Sequence, residues 1–184
     1  MSLKYAILSM VSSQPQSGYD IAKDFSTSVN FYWEASHQQI YKTLAELERK
    51  QWLDMERVEQ PGKPDKKNYS ITLLGKQALL DWAGEPTKPM PRKNALLVKL
   101  LAIEEVGSAV LTKELKRYQH VTQEKLNIYR QIESDFFKQG IEGIDCLLGL
   151  GKFLALRKGI HFSEGELQWL AETLDALEPL SEPG

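Results

Sequence analysis

The spacing of apolar residues changes from a helical to an alternating pattern within the first third of the chain, and this change limits the folds open to it. Leu3, Ile7, Leu8 and Val11 follow the three- and four-residue spacing of an amphipathic helix over residues 2–12. Two further helical segments precede the alternating pattern. Three short helices followed by strands indicate a helix-turn-helix that continues into a β-hairpin.

The second and third helices are marked by start signals. Ser17 is followed three residues later by Asp20, a short variant of the capping box. Ser36 and Gln39 repeat this spacing, and the helix that they open carries an apolar stripe and is predicted to end near residue 51. We therefore expect two helices here, joined by a longer segment.

Two alternating segments, residues 52–58 and 68–73, predict a β-hairpin directly after the third helix. The segment between them, Gln60–Asp65, is dense in turn formers, with two prolines and one glycine. Residues 75–82 then form a closing helix. A hairpin in this place is the wing of a winged helix-turn-helix.

Three prolines, Pro86, Pro89 and Pro91, mark a stiff linker after the closing helix, and the chain beyond them has helical patterns throughout. The fold class that follows is mainly α with a small β-hairpin, and its C-terminal domain resembles an antiparallel coiled coil that serves dimerisation. We predict a winged helix-turn-helix domain at residues 1–84, a proline-rich linker at 85–93 and a helical domain at 94–184.

Four helices are predicted in the C-terminal domain. Residues 94–106 form a short apolar helix, residues 108–139 carry the longest helical pattern, and residues 141–156 form a further apolar helix. Ser163 and Glu166 have the spacing of a capping box, so a last helix is expected to begin there.

The longest predicted helix carries an apolar stripe, and the C-terminal helices together hold more apolar side chains than one thin bundle can bury. Thr122 and Lys125 interrupt the stripe, which argues against an ideal coiled coil. Exposed apolar area on this scale marks an interface, so we predict a homodimer; the alternative is a self-contained helical domain in a monomer. The predicted interface residues are Leu111, Leu115, Tyr118, Tyr129, Ile132 and Phe136.

The composition, 42% hydrophobic and 26% charged with a net charge of -2, is that of an ordinary folded protein. No apolar run approaches the ~18–20 residues that span a bilayer, and the stretch Tyr5–Val11 is short for a signal peptide. The single cysteine, Cys146, cannot form an internal disulfide, which fits a reducing compartment. We therefore expect a cytoplasmic protein with no membrane partner.

A basic surface for DNA is expected around the third helix and the wing. Residues 57–76 contain five basic side chains and two acidic ones. Glutamines at the start of the third helix suit paired hydrogen bonds to adenine in the major groove, and lysines of the wing can reach phosphates. Tyr19 and Lys23 lie on the second helix, which crosses the DNA backbone in such motifs. The contacts predicted on the third helix and the wing are Ser36, His37, Gln38, Gln39, Lys42, Lys63, Lys66 and Lys67.

The segment from residue 3 to about residue 83 resembles the PadR family of transcriptional regulators. In that family a Gly-Tyr pair opens the second helix, a tyrosine followed by a leucine marks the third, and a Tyr-x-(Ile/Leu)-Thr-x-x-Gly run ends the wing. The chain has these marks in order and spacing, at Gly18 and Tyr19, at Tyr41 and Leu44, and at Tyr69–Gly75. The Ser36–Gln39 stretch and the Gly62–Asp65 wing tip resemble the branch that includes the virulence activator alpha, AphA.

The resemblance implies a homodimer whose C-terminal helices clasp the partner subunit and whose two winged domains bind a pseudo-palindromic DNA operator. It also implies that Tyr19 and Tyr41 contact the DNA backbone and that the wing lysines straddle the flanking groove. Ser17 stands where many members have histidine, which fits its use as an N-cap. Family members bind phenolic acids, drugs or no known small molecule, so the identity of an effector does not carry over.

No enzyme, metal site or cofactor is predicted. His37, His120 and His161 are dispersed and lack neighbouring ligands at metal spacing, and no nucleophile–base arrangement suggests catalysis. We therefore predict a sequence-specific DNA-binding transcriptional regulator, without deciding between activator and repressor. One alternative is a sensor whose small-molecule ligand binds in the C-terminal domain or at the dimer interface, with Trp169 as the candidate pocket residue. Another is a helical interaction protein that does not bind DNA, in which the basic side chains form only a solvated face.

Overall fold

A computed structural model describes residues 3–27, 35–59, 66–87 and 94–178 of the chain. The chain divides into two compact units, Met1–Pro89 and Met90–Gly184. No helix within the described ranges is long and apolar enough to cross a bilayer. The first unit holds α1 (Leu3–Val11), β1 (Gln16–Ser17), α2 (Gly18–Thr27), α3 (His37–Arg49), β2 (Leu53–Val58), β3 (Lys66–Ile71) and α4 (Leu73–Gly84). The second holds α5 (Ala95–Leu101), α6 (Ile103–Val106), α7 (Ser108–Phe136), a 3₁₀ turn (Gly140–Gly143) and α8 (Leu147–Leu177).

The first unit is a winged helix-turn-helix, as the sequence predicts. Its helices bury their apolar stripes against a three-stranded antiparallel sheet with the order β1-β3-β2. The sequence does not predict β1, because this strand is only two residues long and is defined by the pairing of Gln16 with Tyr69 and of Ser17 with Asn68. The predicted wing tip, Gln60–Asp65, lies outside the described residues. The core consists of Ile7, Leu8, Val11, Ile21, Ala22, Phe25, Ile40, Leu44, Leu47, Leu53 and Tyr69.

Both start signals predicted in this unit cap their helices. The Ser17 Oγ accepts a hydrogen bond from the backbone N–H of Asp20 at 3.0 Å. The Ser36 Oγ accepts one from the backbone N–H of Gln39 at 3.3 Å, and the Ser36 N–H donates to the Gln39 Oε1 at 2.8 Å. The second pair is therefore a complete capping box, which fixes the point at which α3 begins.

The end of α3 packs closely against the start of α4. Gln51 has a φ of 57°, the left-handed conformation that ends a helix, and the Trp52 N–H donates to the Leu47 carbonyl at 2.9 Å. Thr72 caps α4, and its hydroxyl donates to the Gln51 carbonyl at 2.7 Å. A Cβ at Gly75 would clash with the Trp52 carbonyl oxygen. The Thr-x-x-Gly run after the wing is thus the joint between two helices.

The second unit is built on α7 and α8, which lie antiparallel along each other. At one end, ion pairs join Glu133 to Arg157 at 2.9 Å and Arg130 to Glu164 at 3.1 Å. At the other end, the start of α7 packs against the end of α8 and against α5. The core cluster there consists of Leu96, Leu111, Leu115, Leu170 and Leu177. This helical pair agrees with the predicted fold class.

The helix predicted to begin at Ser163 does not begin there. α8 is one continuous helix, and Ser163 is buried in its interior. The next residue, Glu164, pairs with Arg130 on α7 and ties this part of α8 to the neighbouring helix. No proline interrupts this segment, and packing along α7 supports the helix through the serine.

Two smaller predictions also need correction. The helix predicted over residues 94–106 is interrupted at Ala102, where α5 ends and α6 follows. Thr122, expected to interrupt the apolar stripe of α7, is buried together with Leu126. Its hydroxyl donates to the Tyr118 carbonyl at 2.9 Å, so the polar group is satisfied inside the stripe.

Candidate nucleic-acid interface

α3 has a buried face and an exposed face that begins at its first residue. Ile40, Leu44 and Leu47 are fully buried in the core of the first unit. The side chains at the start of the helix remain at the surface, where they can enter a DNA groove. The predicted contact residues found exposed here are Ser36, His37, Gln38, Gln39, Tyr41 and Lys42.

The two glutamines at the start of α3 have different environments. The Gln39 Oε1 accepts the hydrogen bond from the Ser36 N–H and is therefore held in the capping box. Gln38 is exposed and takes no part in that cap. A paired hydrogen bond to adenine needs both the oxygen and the nitrogen of the amide, so Gln38 is the better placed of the two.

Tyr41 packs against the start of α2. A Cβ at Gly18 would lie 3.0 Å from the Tyr41 ring and 3.4 Å from the Tyr69 ring, so glycine lets α2 approach both. Burial raises the pKa of Tyr69, and the charge of Glu48 and the neighbouring Tyr41 add to the rise. The Gly-Tyr pair that the sequence singles out thus has a packing reason, which also brings the first turns of α2 and α3 together.

Lys66 is engaged by an acidic residue of α2. Its Nζ lies 3.1 Å from the Asp20 Oδ2, and the Ser17 Oγ donates to the same oxygen at 2.6 Å. The hydrogen bond from Ser17 chiefly, and then Lys66, hold the pKa of Asp20 below its ordinary value. The sequence does not predict this ion pair, although it marks Asp20 as a cap partner of Ser17. No local signal links Asp20 to Lys66, because they are far apart in the chain.

Lys67 differs from its neighbour in being exposed, on the opposite face of β3. It lies directly across the ladder from Arg57 of β2, so two cationic side chains stand side by side on the wing. Lys63, predicted for the wing tip, lies outside the described residues. The described part of the wing therefore presents Lys67 and Arg57 as its outward positive charges.

α2 contributes exposed side chains next to this surface. Tyr19 is 68% exposed although it is aromatic, and Lys23 is exposed one turn further along. Tyr19 directly follows Gly18, whose contact with Tyr41 joins α2 to α3. The first turn of α2 thus contacts α3 through Gly18 and Tyr41, and contacts β3 through Asp20 and Lys66.

Comparison with known proteins matches the two units in turn. The transcriptional regulator PadR-like family matches residues 7–81, and the C-terminal region of virulence activator alpha matches residues 92–178. A probable transcriptional regulator of Mycobacterium tuberculosis is 34% identical to this chain, in an alignment that covers 97% of this chain and 98% of that protein. The chain belongs to the PadR-like family of transcriptional regulators.

Solved structures of PadR-like proteins share the fold over nearly the whole chain. Bacillus subtilis PadR in complex with operator DNA superposes with a TM-score of 0.84 at 26% identity, covering 95% of this chain and 98% of that one. The Vibrio cholerae virulence activator AphA superposes with a TM-score of 0.81 at 28% identity, covering 98% and 100%. The winged helix-turn-helix followed by a helical domain is thus the architecture of this family.

Part of the dimer interface predicted on α7 is buried within the single subunit. Leu111, Leu115 and Tyr129 are at most 1% exposed, because α8 of the same chain covers them. Leu115 lies in the cluster with Leu170, and the Tyr129 ring packs on Gly159. These three residues are therefore core residues of the subunit, which corrects their assignment to the interface.

The remaining residues of the stripe are more accessible. Tyr118 and Ile132 are half-buried, and Phe136 is 76% exposed at the end of α7. Their place in a dimer interface stays a prediction. The second unit has further exposed apolar side chains, namely Leu97, Val98, Leu101, Val106, Val110, Val121, Ile128, Ile141, Leu147, Leu148, Leu154 and Phe162.

The candidate effector residue, Trp169, is half-buried in the second unit. Trp169 packs against the core cluster of α5, α7 and α8. A concavity of about 420 Å³ lies elsewhere, at the turn after α7, with Arg130, Phe137 and Lys138 in its lining. Within the described ranges, no three His, Cys, Asp or Glu side chains come together as a potential metal site.

Proposed function

We propose that this PadR-like protein is a sequence-specific DNA-binding transcriptional regulator, which acts in the cytoplasm as a homodimer on a pseudo-palindromic operator and is not an enzyme. The observation that carries the proposal is the exposed, capped start of α3, next to α2, which contacts Tyr41 of α3 through Gly18 and Lys66 of the wing through Asp20. The solved complex of Bacillus subtilis PadR with operator DNA, on the same fold, supports it.

In this proposal the start of α3 enters the major groove. Gln38 reads a base edge, while His37 and Lys42 lie on the same exposed end of the helix. Ser36 and Gln39 hold the helix start in place, and backbone N–H groups there favour a nearby phosphate. Two such helices in a symmetric dimer would read half-sites about 34 Å apart, or a multiple of that distance.

The flanking elements contact the DNA backbone. Tyr19 and Lys23 on α2, and Tyr41 on α3, lie where hydroxyl or ammonium groups can meet phosphate oxygens. Lys67 and Arg57 present the charge of the wing. Phosphate contacts of this kind carry no sequence information, but they release counterions and make the affinity depend on salt.

The direct test is selection of genomic DNA fragments by the purified protein at two salt concentrations, followed by sequencing. We expect enrichment of an inverted-repeat site that survives the higher salt. Uniform binding that the higher salt abolishes would reduce the proposal to a generic basic surface. Binding to no fragment at either salt would favour the alternative of an interaction protein that does not bind DNA.

The alternative of a ligand-controlled sensor makes a separate prediction. A small molecule that binds the second unit raises the unfolding temperature of the protein and changes its affinity for the enriched site. Titration of the enriched duplex with and without small aromatic acids would detect this. A thermal shift without a change in DNA affinity would show a bystander ligand.

A further inference from the structure

The ion pair between Asp20 and Lys66 joins the first strand residue after the wing tip to the first turn of α2. The Lys66 Nζ lies 3.1 Å from the Asp20 Oδ2. The Ser17 hydroxyl donates to the same Oδ2 at 2.6 Å and accepts from the Asp20 N–H at 3.0 Å. Asp20 is thus tied both to the strand before α2 and to the first residue of β3.

Asp20 has a structural reason to be where it is. It lies in the first turn of α2, where a carboxylate interacts favourably with the helix dipole, and its bond to Ser17 fixes the helix start. The same position carries a penalty for DNA binding. Tyr19 precedes Asp20 and Lys23 follows one turn later, so the proposed function turns this part of α2 toward phosphates. A fixed carboxylate there repels them.

Lys66 offsets that penalty. Together with Ser17 it keeps the pKa of Asp20 low, so the carboxylate is ionised at neutral pH and its charge is matched by the ammonium. Ladder pairing of Ser17 with Asn68 holds the two partners in place, and Ser17 is only 1% exposed. Lys67, by contrast, points to the other face of β3 and faces Arg57.

We propose that Lys66 serves DNA binding through Asp20 rather than through a phosphate. It neutralises the carboxylate on the DNA-facing side of α2 and holds the start of β3 against that helix, so Asp20 and Lys66 act as a positioning pair. Lys67 is the neighbouring lysine that contacts phosphate. This inference rests on the proposed function, since it assigns roles within the same DNA-binding surface.

The test is a double-mutant cycle on the full-length protein with a labelled duplex that carries the enriched site. We expect Lys66→Gln to weaken binding about fivefold, because it leaves one carboxylate uncompensated. Asp20→Asn keeps an acceptor for Ser17 and should bind at least as well as the wild type. The double variant should recover to within about twofold of the wild type, with the same salt dependence.

Lys67→Gln is the matched control, because it removes the same charge from the adjacent residue. It should weaken binding equally in the wild-type background and in the Asp20→Asn background, and lower the slope of log affinity against log salt by about 0.9. Unfolding temperatures measured without DNA separate a loss of binding from a loss of fold. Lys66→Arg, which keeps the charge, should bind like the wild type.

The outcomes distinguish this inference from the proposed function. If Asp20→Asn fails to rescue Lys66→Gln, and the double variant loses about 0.9 of the salt slope, Lys66 contacts a phosphate directly and the inference is wrong. The proposed function would survive that result. If the wild type binds no duplex, the proposed function fails and this inference fails with it.

Discussion

At the scale of single residues, the two neighbouring glutamines of α3 illustrate how position decides role. Gln38 and Gln39 have the same side chain and are adjacent, yet only Gln39 has its carbonyl held by the Ser36 N–H. An amide that is fixed in a cap cannot rotate to present both its groups to a base. Gln38 keeps that freedom.

Replacing Gln38 by Ala should therefore lower operator affinity by about 1–3 kcal/mol, and only when the base pair that it reads is present. Affinities for a set of operators with single base-pair changes would identify that position. Gln39→Ala is the comparison: it removes the cap partner, so it should weaken binding to every operator alike and lower the unfolding temperature. A uniform loss for Gln38→Ala would place that residue on the backbone instead.

The second residue-scale prediction concerns the joint between α3 and α4. A Cβ at Gly75 would meet the Trp52 carbonyl oxygen, whereas a Cβ at Gly84 has none of the described residues within 4 Å. Gly75→Ala should therefore destabilise the protein by about 1–3 kcal/mol, because backbone must shift. Gly84→Ala, at the end of the same helix, should be close to neutral. Chemical denaturation of both variants tests this, and equal effects would mean that the joint is looser than the structure shows.

At the scale of whole elements, two serines with the same local signal have opposite outcomes. Ser36 and Ser163 each precede an amide or acid by three residues. Ser36 caps α3, whereas Ser163 lies buried within α8. The difference comes from outside the local segment, since α7 packs along α8 through this point and Arg130 of α7 pairs with Glu164, the residue after Ser163.

Alanine substitution separates the two roles. Ser36→Ala should cost about 0.5–2 kcal/mol of stability, the usual loss for an N-cap serine. Ser163→Ala should change stability by less than about 0.5 kcal/mol, because no helix begins there and the added helix propensity compensates. Thermal unfolding of the two variants and the wild type provides the comparison. A cap-sized loss at Ser163 would mean that α8 is broken at that point.

The same contrast explains how far the sequence can predict this molecule. Caps, turn formers and the change of hydrophobic period are local, so they predict α3, the hairpin and α4 to within a few residues. They miss β1, because two residues are too few to show an alternating pattern, and Ser17 belongs to a strand only because it pairs with Asn68 of β3. The pairing of Asp20 with Lys66 escapes prediction for a similar reason, since charge alone does not name a distant partner.

At the scale of the whole molecule, the question is which apolar residues serve the subunit and which serve the dimer. The stripe on α7 divides along its length: Leu115 is fully buried under α8, whereas Phe136 is largely exposed. Leu101 and Leu147 are each 87% exposed, and they belong to the larger set of exposed apolar side chains of the second unit; exposed apolar surface on that scale marks an interface. We expect the dimer interface to consist of these exposed apolar residues and not of those buried under α8.

Two substitutions on α7 separate these roles. Leu115→Ala should lower the free energy of unfolding by about 2–5 kcal/mol at every protein concentration, because it opens a cavity inside the subunit. Phe136→Asp should leave the subunit folded and raise the dimer dissociation constant at least about tenfold, because it places a charge in an apolar contact. Sedimentation equilibrium over a range of concentrations measures the second effect.

Ser134→Asp is the control for Phe136→Asp, since it adds the same charge at a nearby exposed position that is already polar. It should leave the dissociation constant within about twofold of the wild type. Because a dimer binds two half-sites together, Phe136→Asp should also weaken binding to a paired site far more than to a single half-site. An unchanged dimer in the Phe136→Asp variant would exclude the end of α7 from the interface and leave the exposed leucines of α5 and α8 to form it.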